Sequence, residues 1–409
     1  MTARTDERVS RWLLPAMTLR FLAACGRTPS PAPRPDVPAV PRDAVTAAAP
    51  AVVVDAGPPD VIGIGLSPRV TVSACGDLAL TPTVIAEAAH HDGDGRLGWM
   101  LAPLAPLLGG RAIAFVDLRG ALSSHPGTAS RDRFVGALDI ARAMSRTGFD
   151  VVQLANDHAL DDGAAVLGET LQAFAPLRAV TTGACVTARP CAPTVVERDG
   201  VRTAFLAATT RSSRAGSDHP GAADLGRVEG DGSGLVEQVR AARAGVDVLV
   251  LGLHVGRDGL PPAGSSRRAL VDRLLEAGAD LVLVTGPERV GPVERRTTPR
   301  GDAAVAWSLG SVLSGLGAGW HPGVSAAAVA ANPWVYDPSL RDGVVLHATF
   351  DTSTAGHVTL TGLTANALWM SRADDVLRVV PLRTMEPVHR DERLTALRSA
   401  LGPAVRLRP

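Results

Sequence analysis

The stretch LANDHALDDG, Leu154 to Gly163, sets an amide, an imidazole and several carboxylates side by side. It follows the apolar run FDVVQ, so the chain turns polar where it leaves a buried strand, which is where α/β proteins carry their chemistry. Asn, Asp and His supply oxygen and nitrogen donors to a divalent ion, and the same types act as general acids and bases. The pattern recurs. RVTVSACGD ends in Asp77, AIAFVDLRG carries Asp117, VDVLVLGLH ends in His254, and DLVLVTGPE ends in Glu288. Loop polarity would explain any one of these. Asp77, Asp117, Asn156 to His158, His254 and Glu288, all at the exits of apolar runs, together describe a metal or acid–base site on one sheet edge.

The elements that must position them are legible from about Arg69 onward. Short apolar runs rich in Val and Ala read as strands. RFVGALDIARAMSRTG has helical spacing (Phe134, Ala137, Leu138, Ala141, Met144) and stops at Gly148, a C-cap residue. DDGAAVLGETLQAFAPL and SRRALVDRLLEAGA read as further helices, while GVVLHATFD and HVTLTGLTAN alternate as antiparallel strands do. RDERLTALRSALG predicts a terminal surface helix. The body is therefore α/β.

Composition narrows the function. The chain has 409 residues with 41 basic and 41 acidic side chains, so no net charge draws it to nucleic acid. Every basic side chain is Arg, which removes Lys from any catalytic scheme. One Tyr, seven Phe and six Trp leave an aliphatic core and no stacking platform for bases or sugars. The run RWLLPAMTLRFLAAC is too short to span a bilayer and ends in small residues before Cys25, the pattern of a lipoprotein cleavage site. Residues 1–25 thus read as a lipoprotein-type signal with lipidation at Cys25, which places the mature chain at the cell envelope, tethered to the membrane. Residues 26–66, rich in Pro and Ala, read as a linker. The main domain spans 67–385, and 386–409 is a helical tail. Cys185 and Cys191 have the spacing of a small disulfide loop, and Cys75 reads as a buried thiol. HHDGDG, beginning at His90, is read as a solvated loop and not a calcium site, and the unpartnered His125, His219, His321, His347, His357 and His389 as surface or loop residues.

The ordered segments resemble the CapA family of capsule synthesis proteins, associated with poly-γ-glutamate production. GDLAL, VDLRGAL, GFDVVQLANDHALDDG, TTGA, VLGLHVG, LEAGADLVLVTGPERVGPVE and AWSLGSVL appear in that family's order from about Val70 to Pro381. The resemblance implies a calcineurin-like, metallophosphoesterase-like fold, a four-layer α/β/β/α sandwich with a metal site at the strand ends. It puts Asp77, Asn156 and His254 among the ligands, with Asp117 and Glu288 as substitutes for lost ones. His158 and Asp157 would serve catalysis. Two motifs depart. The family's NLEG reads Asp117-Leu118-Arg119-Gly120, and its GHHPH reads Val284-Thr285-Gly286-Pro287-Glu288.

Arg119 decides between two readings. A guanidinium stays charged, has no lone pair for a metal, and opposes a nearby divalent ion. One reading keeps a rearranged hydrolase or transferase site holding Mn²⁺, Mg²⁺ or Zn²⁺. The other makes the site an eroded, metal-free cleft acting in binding, with Arg119 paired to Asp77 or Glu288 or clamping an acidic ligand. Partners would then be an anionic polymer or membrane-bound synthesis proteins.

Overall fold

Alternating inward and outward side chains decide the architecture. A computed structural model describes residues 53–55 and 68–409, apart from 90–94, 129, 131, 187–189, 213–222, 257–259, 261, 263 and 374–375. The signal-type residues 1–25 with Cys25, residues 90–94 of the acidic loop, and His219 lie outside the described residues.

Two sheets face each other. The first runs in the order β1 (Val53–Asp55), β6 (Thr194–Arg198), β7 (Val201–Thr209), β8 (Val248–His254), β9 (Leu281–Thr285), β11 (Gly301–Ala306), β10 (Val293–Thr298). The second runs β15 (Arg378–Pro381), β14 (Thr359–Ser371), β13 (Asp342–Asp351), β2 (Arg69–Ala79), β3 (Ile113–Arg119), β4 (Val151–Gln153), β5 (Val180–Thr182). β12 (Ser311–Leu313) adds beside β2, and β16 (Arg406–Arg408) beside β14. The centre of each sheet is parallel: β7, β8, β9 and β11 in the first, β2 to β5 in the second. Such strands are buried on both faces, which is why they read as unbroken apolar runs. GVVLHATFD and HVTLTGLTAN form β13 and the start of β14, paired antiparallel as their alternation predicts.

Three apolar layers follow. Val72, Phe115 and Val151 of the second sheet meet Phe205, Val250 and Leu283 of the first between the sheets. Outside the second sheet, α1 (Gly95–Leu101), α2 (Asp139–Thr147) and α3 (Gly163–Phe174) bury Met100, Met144 and Leu167. Outside the first, α4 (Ser233–Ala242) and α5 (Ser266–Glu276) bury Val239 and Leu274. The fold is the four-layer α/β/β/α sandwich. Gly148, at φ 108°, ends α2 where the spacing places a C-cap. Ser265 caps α5 by accepting from Arg268 N.

Some readings differ from the structure. Within the stretch read as a linker, Val53–Asp55 pairs in parallel with Val195–Glu197. The terminal helix α6 (Pro387–Leu401) buries Leu394, Leu397 and Leu401 in the inter-sheet core, and β16 beyond it joins the second sheet. The sequence hides this because charged residues cluster over Arg390–Arg393 and the apolar stripe of α6 is narrow. His347 is not a loop residue; it sits in β13 between Ser73 Oγ and Asn366 Oδ1, both at 2.8 Å. Cys185 and Cys191 are disulfide-bonded. Burial pushes the Cys75 thiol up to about 12. Among the described residues no helix is long and apolar enough to cross a membrane.

α6 is fastened by a buried ion pair. Arg393 Nε donates to Asp342 Oδ1 at 3.2 Å and Nη2 bonds the other oxygen. Burial raises Asp342 to about 6 even against the pull of Arg393. The folded chain therefore holds this proton more tightly than the unfolded one, and its contribution to stability declines as pH rises from the ordinary carboxylate range through 6. Breaking a buried pair strands the remaining charge. Arg393→Met should cost about 3 kcal/mol at pH 8, and clearly less at pH 5, where Asp342 takes up a proton. Urea unfolding at the two pH values checks this; an equal loss at both would contradict it.

Candidate functional site

The inward-facing rows of both sheets are apolar until their carboxyl ends. On β3 the row runs Phe115, Asp117, Arg119; on β4 it runs Val151, Gln153; on β8 it runs Val248, Val250, Gly252, His254; on β9 it runs Leu281, Leu283, Thr285. A side-chain period of two carries each row from the core into the same polar end. β2 needs a correction to join it. Ala74 lies opposite Phe115, but Asp77 lies opposite Asp117, so β2 carries one extra residue there. This bulge moves Asp77 from the outer face, where Cys75 packs, to the face shared with Asp117. Gly76 makes room for the bulge: a Cβ there would lie 1.9 Å from Gly310 O.

Asp117 is the hub. Its Oδ1 accepts from Asn156 Nδ2 at 3.0 Å. Its Oδ2 accepts from Thr285 Oγ1 at 2.5 Å, His254 Nδ1 at 2.9 Å and Gln153 Nε2 at 3.1 Å. Gln153 reaches across the sheets only because position 252 is glycine, where a Cβ would stand 1.8 Å from its Oε1. Asn156 also donates to Leu118 O at 2.7 Å, and its Oδ1 accepts from His158 N at 3.1 Å, which fixes the turn after β4.

Arg119 is the counterweight. It is 0% exposed, among the largest side chains fully buried. Nε and Nη2 donate to the two oxygens of Asp157 at 2.8 and 2.7 Å, and Nη1 donates to Glu288 Oε1 at 2.5 Å. Nη1 also lies 3.8 Å from Asp77 Oδ2. Burial works against the guanidinium's charge, yet Asp157, Asp77 and Glu288 more than offset it and hold it protonated. Glu288 is set for this contact by a left-handed backbone, φ 64°, which costs a non-glycine residue about 1 kcal/mol or more.

His254 closes the network. Nδ1 bonds Asp117 and lies 3.1 Å from Thr285 Oγ1. Nε2 is 3.0 Å from Asp157 Oδ1, a charge contact too bent for a good hydrogen bond. Burial lowers its affinity for a proton, but its bonds and charge contacts with Asp117 and Asp157 win and raise it to about 9. Asp157 is half-buried, which favours its neutral form; His254 and Arg119 reverse that and hold it well below the usual carboxylate range. Asp77 moves the other way, to about 7, driven first by burial and then by Asp117. Its Oδ1 accepts from Gly286 N at 3.2 Å, and its Oδ2 has no hydrogen-bond partner.

The structure thus brings Asp77, Asp117, Arg119, Asn156, Asp157, His254 and Glu288 together. His158 stands at the rim. Its Nδ1 is 2.8 Å from Asp161 Oδ2, and its ring stacks on Phe134 with centroids 3.8 Å apart. Asn156 and Glu288 bond Asp117 and Arg119 respectively, and the Arg119 fork points inward onto carboxylates. Sequence reasoning passed over Gln153 and Asp161. The signal for Gln153 was there: a lone polar residue two positions after inward-facing Val151.

Do these residues fit a metal? Asp77, Asp117 and His254 each offer a ligand atom, all within 4.8 Å of one another, and Asp77 Oδ2 is an orphaned buried acceptor. One cation fits there, if His254 gives up its proton. A second ion does not fit, because Arg119 already neutralises Asp157 and Glu288.

The family described as bacterial capsule synthesis protein PGA_cap matches residues 71–316. No curated protein matches the chain. Among solved structures, a hypothetical protein from Thermus thermophilus is 14% identical with a TM-score of 0.40, covering 73% of this chain and 98% of that one. The sulfate thiohydrolase SoxB of the same organism, in complex with glycerol, is also 14% identical with a TM-score of 0.40, covering 81% of this chain and 60% of that one.

The two raised groups fix the sign of a pH response. Asp77 keeps its proton in the fold, so its contribution declines as pH rises from the ordinary carboxylate range through 7. His254 contributes fully below its ordinary 6.5, and that contribution is lost as pH rises through 9. With chelator present, stability should fall by about 3 kcal/mol between pH 6.5 and 9.5. His254→Gln should flatten that limb. A parent whose stability is level over this range would contradict the assignment.

Proposed function

The chain belongs to the bacterial capsule synthesis protein family, and from that membership we propose that it is an exported, lipid-anchored binding component of capsule or poly-γ-glutamate synthesis. Its strand-edge site, on this reading, is held together by its own charges and does not run two-metal hydrolysis. One observation carries the proposal: the Arg119 guanidinium is buried among Asp157, Glu288 and Asp77, where a second divalent ion would have to sit.

The chemistry supports a closed centre. A two-metal phosphoesterase clamps attacking and leaving oxygens between two ions. Here a fixed monocation supplies the counter-charge, and it has no open coordination position to offer a substrate oxygen. Arg119 itself is not the clamp for an acidic ligand, because its donors already serve Asp157 and Glu288. Ligand contact falls to the rim. There Asp157 and His158 are partly accessible, and the exposed Arg211 lies against Gly256 beside Asp157. An anionic polymer chain would meet Arg211 first.

A second reading rests on the Asp77–Asp117–His254 triad. Those residues would hold a single Mn²⁺, Mg²⁺ or Zn²⁺, which supplies Lewis acidity and a more acidic bound water when present. Asn156, Gln153 and Thr285 would keep Asp117 oriented, and His158 at the rim would move a proton near a leaving group, its imidazole steadied by Asp161 and Phe134.

Metal analysis separates the two. The chain purified without chelator should carry far less than one equivalent of metal, and Mn²⁺ or Zn²⁺ should leave its thermal stability unchanged. Stoichiometric metal that disappears in both Asp77→Ala and His254→Ala would overturn the closed-site reading in favour of the single-ion one. For the anchor, the mature chain extracted from membranes should begin at an acylated Cys25 by intact mass, and Cys25→Ser should carry no acyl group. An unmodified mature chain would refute lipidation.

A further inference from the structure

The guanidiniums of Arg406 and Arg408 on β16 have no acidic partner. Both side chains are exposed, and among the described residues neither makes an ion pair or a side-chain hydrogen bond. Leu407 between them packs against the inter-sheet core, so the strand period turns both arginines to the outer face of the second sheet.

That face is only half covered. The apolar layer beneath its helices takes in Cys75, Val345 and Leu368. Past those residues the outward side chains His347, Thr349, Thr364 and Asn366 are partly exposed. Register sets them in rows: His347 lies opposite Thr364 and Thr364 opposite Arg406, while Asn366 lies opposite Arg408. Asp351, the carboxylate at the far end of β13 on this face, is taken by Arg69 Nε at 2.9 Å.

The hydrogen bonds within this face have a direction. Burial, with Arg408 nearby, lowers the affinity of the His347 ring for a proton, although its bond to Asn366 works the other way. A neutral ring has one donor nitrogen. Asn366 Oδ1 only accepts, so His347 Nε2 carries the proton and Nδ1 accepts from Ser73 Oγ, both at 2.8 Å. Asn366 is thereby held by its oxygen. Its Nδ2 and the Thr364 hydroxyl make no hydrogen bond among the described residues. The strip offers guanidinium, amide and hydroxyl donors and no carboxylate.

We propose that Arg406, Arg408, Asn366 and Thr364 form a binding strip for an acidic polymer with one carboxylate per repeat unit, on the opposite face of the second sheet from the Asp77 cluster. Charge sets the sign of the occupant, and a guanidinium fork bonds both oxygens of a carboxylate. Spacing sets its charge density. The two arginines stand two strand residues, about 7 Å, apart, whereas a nucleic acid strand carries a phosphate roughly every 3.4 Å. Small-molecule sites are concave, and a flat, open strip fits an extended chain. Charged side chains on a short edge strand also ward off pairing with other chains, but that duty needs no amide fixed by a buried histidine. The ligand class is that of the proposed function; the site is a different one and stands on its own residues.

The test is fluorescence anisotropy of short, labelled poly-γ-glutamate with the full chain at low ionic strength. The parent should bind, and added salt should weaken the complex. Arg406→Gln with Arg408→Gln should weaken it about tenfold or more, with thermal unfolding unchanged because both side chains are exposed. Asn366→Asp should weaken it as well, by giving Arg408 a carboxylate within the protein. Single-stranded DNA should bind less tightly than the polymer. No binding by the parent, undiminished binding by the double-Gln chain, or tighter binding of DNA would each overturn the proposal. A loss in Arg211→Gln with none in the double-Gln chain would overturn it too, and would assign the polymer to the strand-edge rim. A loss in the double-Gln chain with none in Arg211→Gln would support the strip and count against the rim.

Discussion

The carboxyl end of this sandwich is governed by one constraint: the carboxylates of Asp77, Asp117 and Glu288 lie where water hardly reaches, with the half-buried Asp157 beside them. Desolvated like charges at such distances repel strongly, so the fold must supply positive charge, protonate an acid, or bind cations. It does the first two. Arg119 forks onto Asp157 and bonds Glu288, His254 bridges Asp117 and Asp157, and Asp77 is pushed to about 7. A cation supplied by the chain and one supplied by solution solve the same electrostatic problem. Only the second offers open coordination for catalysis.

Everything nearby serves that arrangement. The extra residue in β2 turns Asp77 inward, Gly252 opens a path for Gln153, and the left-handed backbone at Glu288 aims its carboxylate at Arg119. The inter-sheet core sets the distance between the sheets and so decides which side chains can meet across it.

Much of this could be read from the sequence. Apolar runs ending in Asp77, Asp117, Asn156, His254 and Glu288 announced both the α/β body and the common meeting place, because parallel strands buried on two faces leave polar residues nowhere else to go. The inward alignment of Asp117 with Arg119 also follows from the strand period. What could not be read depends on contacts between distant segments. The bulge at Gly76 requires Gly310, the crossing of Gln153 requires Gly252, and the choice of Asp157 as Arg119's main partner requires the turn that Asn156 organises. The integration of α6 was hidden for a similar reason, since Leu394, Leu397 and Leu401 are few among charged neighbours, and Arg393 is recruited by Asp342 from β13.

Arg119 does the work of a cation in an acid cluster, and urea unfolding of Arg119→Ala with and without Mn²⁺ tests that role. Removing the guanidinium leaves Asp77, Asp157 and Glu288 without their shared partner, so the variant should lose about 3–5 kcal/mol in chelator. Mn²⁺ should restore a measurable part of that loss in the variant and none in the parent. A variant as stable as the parent, or a loss that Mn²⁺ leaves untouched, would contradict it.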